Sequence, residues 1–170
     1  MKHLIVVLLA SVAVTPAFAD GSRSSVSMTD RGASTFYVDV QLEGVGTSTF
    51  LVDTGSSYMT INEDLLASLR DGGQVTYVKN LRGTLADGSQ QVVPVYRIAS
   101  LVIGDHCRLN DVQAAVFPGH TRNILGLSAL RAAAPFVFSI DPPELKLSNC
   151  ADGNTIVASE DTVPPVPASQ

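Results

Sequence analysis

The chain has 170 residues and a formal net charge of −5 at pH 7, and its 11 Lys and Arg residues form no basic run. This balance argues against nucleic acid as a partner, because phosphate binding needs clustered cations. With no Trp, six Phe and four Tyr, the sequence also disfavours an aromatic platform for sugars or single-stranded nucleic acid.

The amino terminus has the pattern of a cleavable secretory signal. A short basic start, Met1-Lys2-His3, precedes an apolar run from Leu4 to Val14, and Ala17-Phe18-Ala19 supplies an Ala-x-Ala ending. The alternative, a retained membrane anchor, is disfavoured because the apolar run is too short to span a bilayer. We therefore predict a signal peptide over residues 1–19 and a periplasmic or secreted mature protein, with no stable membrane insertion.

Two segments of simple composition flank a single predicted domain. Small and polar residues dominate 20–34, which we interpret as a flexible lead-in. Residues 151–170 contain Val163-Pro164-Pro165-Val166-Pro167 and few large apolar side chains, so a disordered, Pro-rich tail is predicted there. One folded domain is expected between them, over residues 35–150.

The first half of this domain predicts strands followed by a helix. Asn62 is a typical helix N-cap, and the acidic Glu63 and Asp64 that follow it suit the positive end of a helix dipole. This helix is expected to end near Asp71-Gly72-Gly73. Alternating and apolar runs before the helix indicate strands over residues 35–42, 48–53 and 58–61.

The second half predicts two hairpins, a short helix and two closing strands. The first hairpin, over residues 75–95, turns at Ala86-Asp87-Gly88-Ser89, where Asp-Gly is a strong signal for a tight turn. Many short strands with only two brief helices indicate an all-β, closed barrel-like fold. The remaining predicted elements are a hairpin over 93–117, a helix over 127–132 and strands over 136–140 and 144–147.

Asp53 is the strongest candidate for a catalytic residue. It directly follows the apolar run Phe50-Leu51-Val52, and an ionisable residue in such a place is costly unless something uses it. Gly55 lets the backbone turn tightly, and the hydroxyls of Thr54 and Ser56 can orient a carboxylate. By itself an Asp-Thr-Gly triplet is weak evidence, because so short a motif recurs by chance.

The surroundings of this triplet raise its significance. A second apolar pair ending in Gly, Asn123-Ile124-Leu125-Gly126-Leu127, lies downstream, with the Asp-Gly hairpin between the two motifs. This order of motifs, helices and closing strands resembles the retropepsin-like aspartic peptidases, in particular the exported bacterial members with one Asp-Thr-Gly per chain. The resemblance covers about Phe36 to Leu147 and implies a retropepsin-like closed β-barrel, one half of the acid-protease fold.

The resemblance implies a role for each position of the triplet. Asp53 would be the catalytic carboxylate, and Thr54 would hydrogen-bond across a dimer axis to hold two active-site loops together. Gly55 would allow the second subunit and the substrate to approach closely. Ser56 would hydrogen-bond the outer oxygen of the carboxylate.

Two further segments would complete the site. By the same resemblance, Ile124-Leu125-Gly126 would form a loop beneath the active-site loop. Ala86, Asp87 and Gly88 would lie in a flap that closes over the peptide. This flap tip is acidic and polar where the viral enzymes have a glycine-rich, apolar tip, which favours basic or polar substrates or a low working pH.

The chemistry of this family needs two carboxylates about one water apart, which share one proton. The ionised member activates the water that attacks the peptide carbonyl, and the neutral member protonates the carbonyl oxygen. Because no other Asp in the domain is followed by Thr-Gly or Ser-Gly, the second carboxylate must come from a second copy of the chain. The expected function is therefore that of a homodimeric aspartic endopeptidase acting on proteins or peptides.

Alternatives to the interpretation as a homodimeric peptidase stay open. Asp53 could satisfy loop amides in a barrel without activity, and the chain would then be a catalytically silent module for peptide binding or dimerisation. His106 and His120 have no Cys or His partners at metal-ligand spacing, so we predict no metal site and no cofactor.

Cys107 and Cys150 are the only two cysteines. In an exported chain an even pair favours a disulfide, and two unpaired thiols are the alternative. Geometry decides between them, and the sequence does not contain it.

Overall fold

The computed structural model describes residues 24–85 and 87–151. The predicted signal peptide, residues 20–23 of the lead-in, the flap residue Ala86 and residues 152–170 of the predicted tail lie outside the described residues. Within the described ranges, neither helix is long and apolar enough to cross a membrane.

Short strands make up most of the described chain, and the two predicted helices are both present. The strands and helices are β1 (Ser24–Ser27), β2 (Thr29–Asp30), β3 (Phe36–Leu42), β4 (Gly46–Val52), β5 (Met59–Asn62), α1 (Glu63–Asp71), β6 (Val75–Thr84), β7 (Gln90–Ile103), β8 (Cys107–Phe117), β9 (Ile124–Leu125), α2 (Leu127–Ala132), β10 (Phe136–Ile140) and β11 (Pro143–Leu147).

The larger sheet closes on itself to form a barrel. Its strand order is β2-β3-β4-β9-β5-β8-β7-β6, and β3 also pairs with β7, for example Val40 with Ile103. That additional pairing joins two distant strands of the sheet, which leaves β6 and β2 outside the closed ring. The predicted all-β barrel with two short helices is confirmed.

The two-residue strand β9 lies between the strands on either side of the predicted active-site loop. It pairs in parallel with β4, Leu51 with Ile124 and Val52 with Leu125, and antiparallel with β5 through Thr60. Because β4 and β5 are separated by β9, the chain between them has to cross over the end of that strand. This crossing positions Asp53, the first residue after β4, beside Leu125.

The core follows from the alternation of side chains along the strands and from the apolar face of α1. Phe36, Val38, Val40 and Leu42 of β3 point inward and are buried, as a period of two requires. Helix α1 begins as predicted, because the Asn62 side chain accepts a hydrogen bond from the Leu65 amide at 2.9 Å. The barrel is thereby filled by aliphatic side chains, and the loops that carry function lie on a rigid frame.

The predicted flexible lead-in is wrong for residues 24–30. Strand β1 pairs with β11 in a three-stranded sheet with β10, and Val26 and Met28 are only 6% and 5% exposed. Val26 packs so closely on the turn at Gly104 that an added Cβ there would meet it at 2.8 Å. The sequence of this segment is mostly polar, so its order comes from a pairing partner more than a hundred residues away, about which local composition says nothing.

Cys107 and Cys150 are joined by a disulfide. Cys107 is fully buried at the start of β8, and the Ala151 amide donates to the Arg108 carbonyl at 3.0 Å. The bond therefore ties the last described residues of the chain to the barrel.

Removing both cysteines should lower the free energy of unfolding by up to about 4 kcal/mol, because the bond closes a loop between residues 43 positions apart. The Cys107→Ala, Cys150→Ala double variant tests this in urea, and Ala is used because Cys107 is buried. Wild-type protein denatured without reductant should also release no free thiol, and labelling of both cysteines under those conditions would contradict the bond.

Candidate active site

Asp53 lies at the end of β4, where a buried strand reaches the surface. Phe50 and Val52 before it are buried, whereas Asp53 itself is half-exposed. Its backbone amide donates to the Leu125 carbonyl at 3.2 Å, and its Oδ1 accepts the Gly55 amide at 2.8 Å. Both the main chain and the carboxylate are thus held in place while the carboxylate keeps an open side.

The loop after Asp53 folds back within a few residues. The Ser56 amide donates to the Asp53 carbonyl at 3.3 Å, and the Ser56 carbonyl accepts the Leu127 amide at 2.8 Å. An added Cβ at Gly55 would lie 3.1 Å from Asp53 Oδ1, tighter than most such contacts. Gly55 and the adjacent Thr54 are exposed, and the predicted role of Thr54 across a dimer axis stays a prediction.

The predicted role of Ser56 is wrong within the single chain. Its Oγ donates to the Tyr58 carbonyl at 2.7 Å and not to the carboxylate of Asp53. The tight loop brings that carbonyl within reach of the hydroxyl, and the carboxylate accepts the Gly55 amide instead. Ser56 therefore stabilises the shape of the loop.

The segment Ile124-Leu125-Gly126 packs against the active-site loop, and Gly126 lies directly against the backbone of that loop. An added Cβ on Gly126 would lie 2.1 Å from the Tyr58 carbonyl oxygen and 2.8 Å from that of Ser56. Both atoms belong to the backbone, which cannot move away as a side chain would. Only a residue without a side chain fits here, although the extended backbone of Gly126 (φ −95°) suits any residue.

Ser128 is a supporting residue that the sequence reasoning missed. Its Oγ accepts the Met59 amide at 2.7 Å and donates to the Gln113 carbonyl at 2.7 Å, which links α2 to β5 and β8. The available signal was weak: a hydroxyl residue two positions after Gly126, within the first turn of a helix that has no side-chain cap.

A cleft of about 530 Å³ opens at the carboxylate. The residues that line it come from the active-site loop, the β6–β7 hairpin and the segment before β9, and they include Asp53, Ser56, Thr84, Leu85, Phe117 and Arg122. A neighbouring cleft of about 410 Å³ shares several of these residues and adds Tyr58, Leu81 and Arg82. Of the described residues that line either cleft, Asp53 is the sole carboxylate.

The base of the hairpin has its own small apolar cluster. Val93, Val95 and Ala115 are buried there, and the partly buried Tyr58, Val78, Leu81 and Phe117 pack against them. This cluster is separate from the main core and lies against the second cleft. It packs the base of the hairpin against the wall of the second cleft.

The tip of the hairpin forms the predicted tight turn. Gly88 has a φ of +82°, and its amide donates to the Leu85 carbonyl at 2.9 Å. Hydrogen bonds from the hydroxyl and then the amide of Ser89 hold the pKa of Asp87 below its ordinary value, so this exposed carboxylate stays ionised in mild acid. Asp87 and Gly88 do not line either cleft, and Ala86 lies outside the described residues.

A larger groove, of about 600 Å³, lies on another face between the β3–β4 turn and β7. None of the predicted site residues lines it. The volume of a cleft therefore does not identify the candidate site. The site is identified by the cleft at which Asp53, its hydrogen-bonded loop and the hairpin meet.

The motifs that converge on the cleft also match a known family. The sequence model of the family described as aspartyl protease matches residues 38–129, a span that contains Asp53, the hairpin and Gly126. The chain belongs to the aspartyl protease family. Its members are proteases, so the family and the position of Asp53 together indicate a protease-type function.

The fold of this aspartyl protease family member is also similar to that of a solved structure. A retropepsin-like aspartic protease from Rickettsia conorii is similar with a TM-score of 0.53 and 20% sequence identity, over 74% of this chain and 89% of that one. At this identity the likeness concerns the fold, which is retropepsin-like. No curated protein sequence matches the chain.

Proposed function

We propose that the protein is an aspartic endopeptidase that hydrolyses peptide bonds through a pair of Asp53 carboxylates in a homodimer. The observation that carries this is the half-exposed Asp53 carboxylate, held by the Gly55 amide at 2.8 Å and open to a cleft that the hairpin flanks. One such carboxylate per chain cannot both activate water and protonate a carbonyl oxygen. A two-fold axis beside Asp53 would supply the second.

In the proposed mechanism the two carboxylates share one proton and hold a water between them. The ionised Asp53 takes a proton from this water while the water attacks the peptide carbonyl. The neutral Asp53 of the other copy donates its proton to the carbonyl oxygen. The braced loop keeps each carboxylate in position, so little reorganisation is needed. We further propose that this occurs in the periplasm or outside the cell, after removal of residues 1–19, and without a cofactor.

Specific activity should rise with protein concentration, because each chain contributes half of the dyad. The measurement is pepstatin-sensitive cleavage of a denatured protein at about pH 4 to 6, where the dyad holds one proton. Thr54→Ala should shift the rise to higher concentration, since the exposed Thr54 would act across the axis. Thr76→Ala, which changes an exposed threonine that lines neither cleft, is the matched control.

Activity strictly proportional to enzyme, in a sample that sedimentation identifies as monomeric, would contradict the homodimer. If activity depends on protein concentration in the same way for Thr54→Ala and Thr76→Ala, Thr54 does not stabilise the dimer. That result would not contradict the dyad itself.

The second candidate is a catalytically silent module of the same fold that binds peptides or mediates dimerisation. It is favoured by the Ser56 hydroxyl, which bonds Tyr58 and not the carboxylate, and by the polar tip with its ionised Asp87. Binding of pepstatin without cleavage of any protein substrate would select this candidate over the peptidase.

A further inference from the structure

Two arginines line the clefts around Asp53. Arg122 lies on the wall of the cleft that contains the carboxylate, and Arg82 lies on β6 in the adjoining cleft. The two clefts share Gly55, Ser56 and Thr60 of the floor together with Thr84 and Phe117, so they are halves of one trough. Among the described residues, two cations and one carboxylate therefore supply all of the charge along this trough.

The backbone at Arg122 is anchored on both sides while its side chain is exposed. The Thr121 carbonyl accepts the Asn62 side-chain amide at 3.1 Å, and the Asn123 carbonyl accepts the Leu51 amide at 3.0 Å. The guanidinium lies 6.0 Å from the ring centroid of Tyr37, a loose contact. The backbone at Arg122 is therefore fixed at the cleft wall, and the side chain that it carries is exposed.

Two acidic residues contact the segment that precedes Arg122, and both are engaged there. Glu63 accepts the Gly119 amide at 2.9 Å, and Asp64 pairs with His120. Within the described ranges, no carboxylate lies within 4.0 Å of either Arg122 or Arg82. Within that part of the chain neither guanidinium has a carboxylate partner, and a guanidinium is permanently charged and shaped to bind a carboxylate through two hydrogen bonds.

Two acidic groups would act against this, the Asp53 carboxylate in the cleft and the acidic flap tip. Asp87 is ionised and exposed, but it lines neither cleft, and its Oδ1 already accepts two hydrogen bonds from Ser89. A substrate side chain in the trough would therefore lie among lining residues that include both arginines and not Asp87. The prediction from the sequence, that the acidic tip favours basic or polar substrates or a low working pH, rests on the tip alone and does not include the cleft walls.

We propose that the trough selects peptides with Glu or Asp beside the scissile bond, through Arg122 and Arg82. This inference rests on the proposed function, because it assigns a substrate class to the same site. In a homodimer each arginine would be present twice, once on either side of the dyad. Acidic side chains on both sides of the scissile bond would then be accepted.

The test uses the full mature chain and a set of peptides with statine at the centre, an uncleavable mimic of the attacked carbonyl. The peptides differ at one neighbouring position, which holds Glu, Gln or Lys. The Glu peptide should bind about fivefold more tightly than the Gln peptide, the ratio expected for one exposed charge pair, and the Lys peptide most weakly. The preference should shrink in about 0.5 M salt, because screening weakens exposed charge pairs.

The Arg122→Gln, Arg82→Gln double variant should bind the Glu and Gln peptides equally. Arg97→Gln, an exposed arginine of β7 that lines neither cleft, is the matched control and should keep the wild-type preference. Equal binding of the three peptides to the wild-type protein would overturn the inference, as would a preference that survives in the double variant or no binding of any peptide.

Cleavage of a denatured protein, measured in parallel, separates this inference from the proposed function. Cleavage without any preference for Glu overturns the substrate class and leaves the peptidase. A Glu preference in binding without cleavage supports the arginine assignment and overturns the peptidase.

Discussion

Asp53→Asn should abolish measurable peptide hydrolysis, with a loss in kcat/KM of up to about 10⁴-fold, because the variant has no group that can take a proton from water. The fold should be unaffected. The Asn side-chain oxygen can still accept the Gly55 amide, which bonds Asp53 Oδ1 at 2.8 Å. In a homodimer the amide would also remove the repulsion between two carboxylates, so the melting temperature should equal or exceed that of the wild type.

The measurement pairs initial rates on a denatured protein substrate with thermal unfolding of the same samples. Asp105→Asn is the matched control, because Asp105 is an exposed residue of the β7–β8 turn that lines neither cleft, and it should retain full activity. Undiminished hydrolysis by purified Asp53→Asn protein would end the assignment of Asp53 as the catalytic residue. A variant that loses both activity and folding would instead assign Asp53 a structural role.

Among the described glycines, Gly126 should be the one at which replacement by Ala does the most damage. The added Cβ would meet the carbonyl oxygen of Tyr58 at 2.1 Å and that of Ser56 at 2.8 Å, so the active-site loop and β9 must separate. Overpacking of this kind costs about 3 kcal/mol or more when the obstacle is backbone. Since the same loop holds Asp53, activity should fall further than the loss of stability alone explains.

Urea unfolding measures the loss of stability. The activity, measured at a temperature where the variant stays folded, tests the effect on the active-site loop separately. Gly72→Ala serves as the control, because a Cβ there would make only ordinary contacts of 3.5 Å and beyond, at the exposed end of α1. Its stability should lie within about 0.5 kcal/mol of the wild type, as for most surface changes. A Gly126→Ala protein as stable and active as Gly72→Ala would show that the loop is not braced as described.

Much of the barrel could be predicted from the sequence because its signals are local. Alternating side chains indicate β3, the Asn62 cap indicates the start of α1, and the Asp-Gly pair indicates the turn between β6 and β7. Each of these depends on backbone geometry within a few residues. It could not be predicted that β1 forms an ordered strand, because this depends on pairing with β11 and on the packing of Val26 against Gly104.

In the candidate site, too, some features could be predicted from local sequence and others could not. The sequence indicated Asp53 and Gly126 by their motifs, but the hydroxyl of Ser56 turned away from the carboxylate, and Ser128 and Arg122 were not anticipated. Hydrogen bonds of a short side chain depend on which backbone carbonyl lies within about 3 Å, a distance that residue identity does not encode. The cations of the trough come from β6 and from the segment before β9, which only the closed barrel brings together.

Residue type and spacing were therefore enough to predict most of the strands, both helices, the family motifs and the single Asp-Thr-Gly carboxylate per chain. The tertiary structure decided the insertion of β9 between β4 and β5, the disulfide between Cys107 and Cys150, and the charge of the cleft walls. These features join residues far apart in the chain. Their geometry follows from packing the whole barrel, because no local preference specifies which distant strand a given strand will pair with.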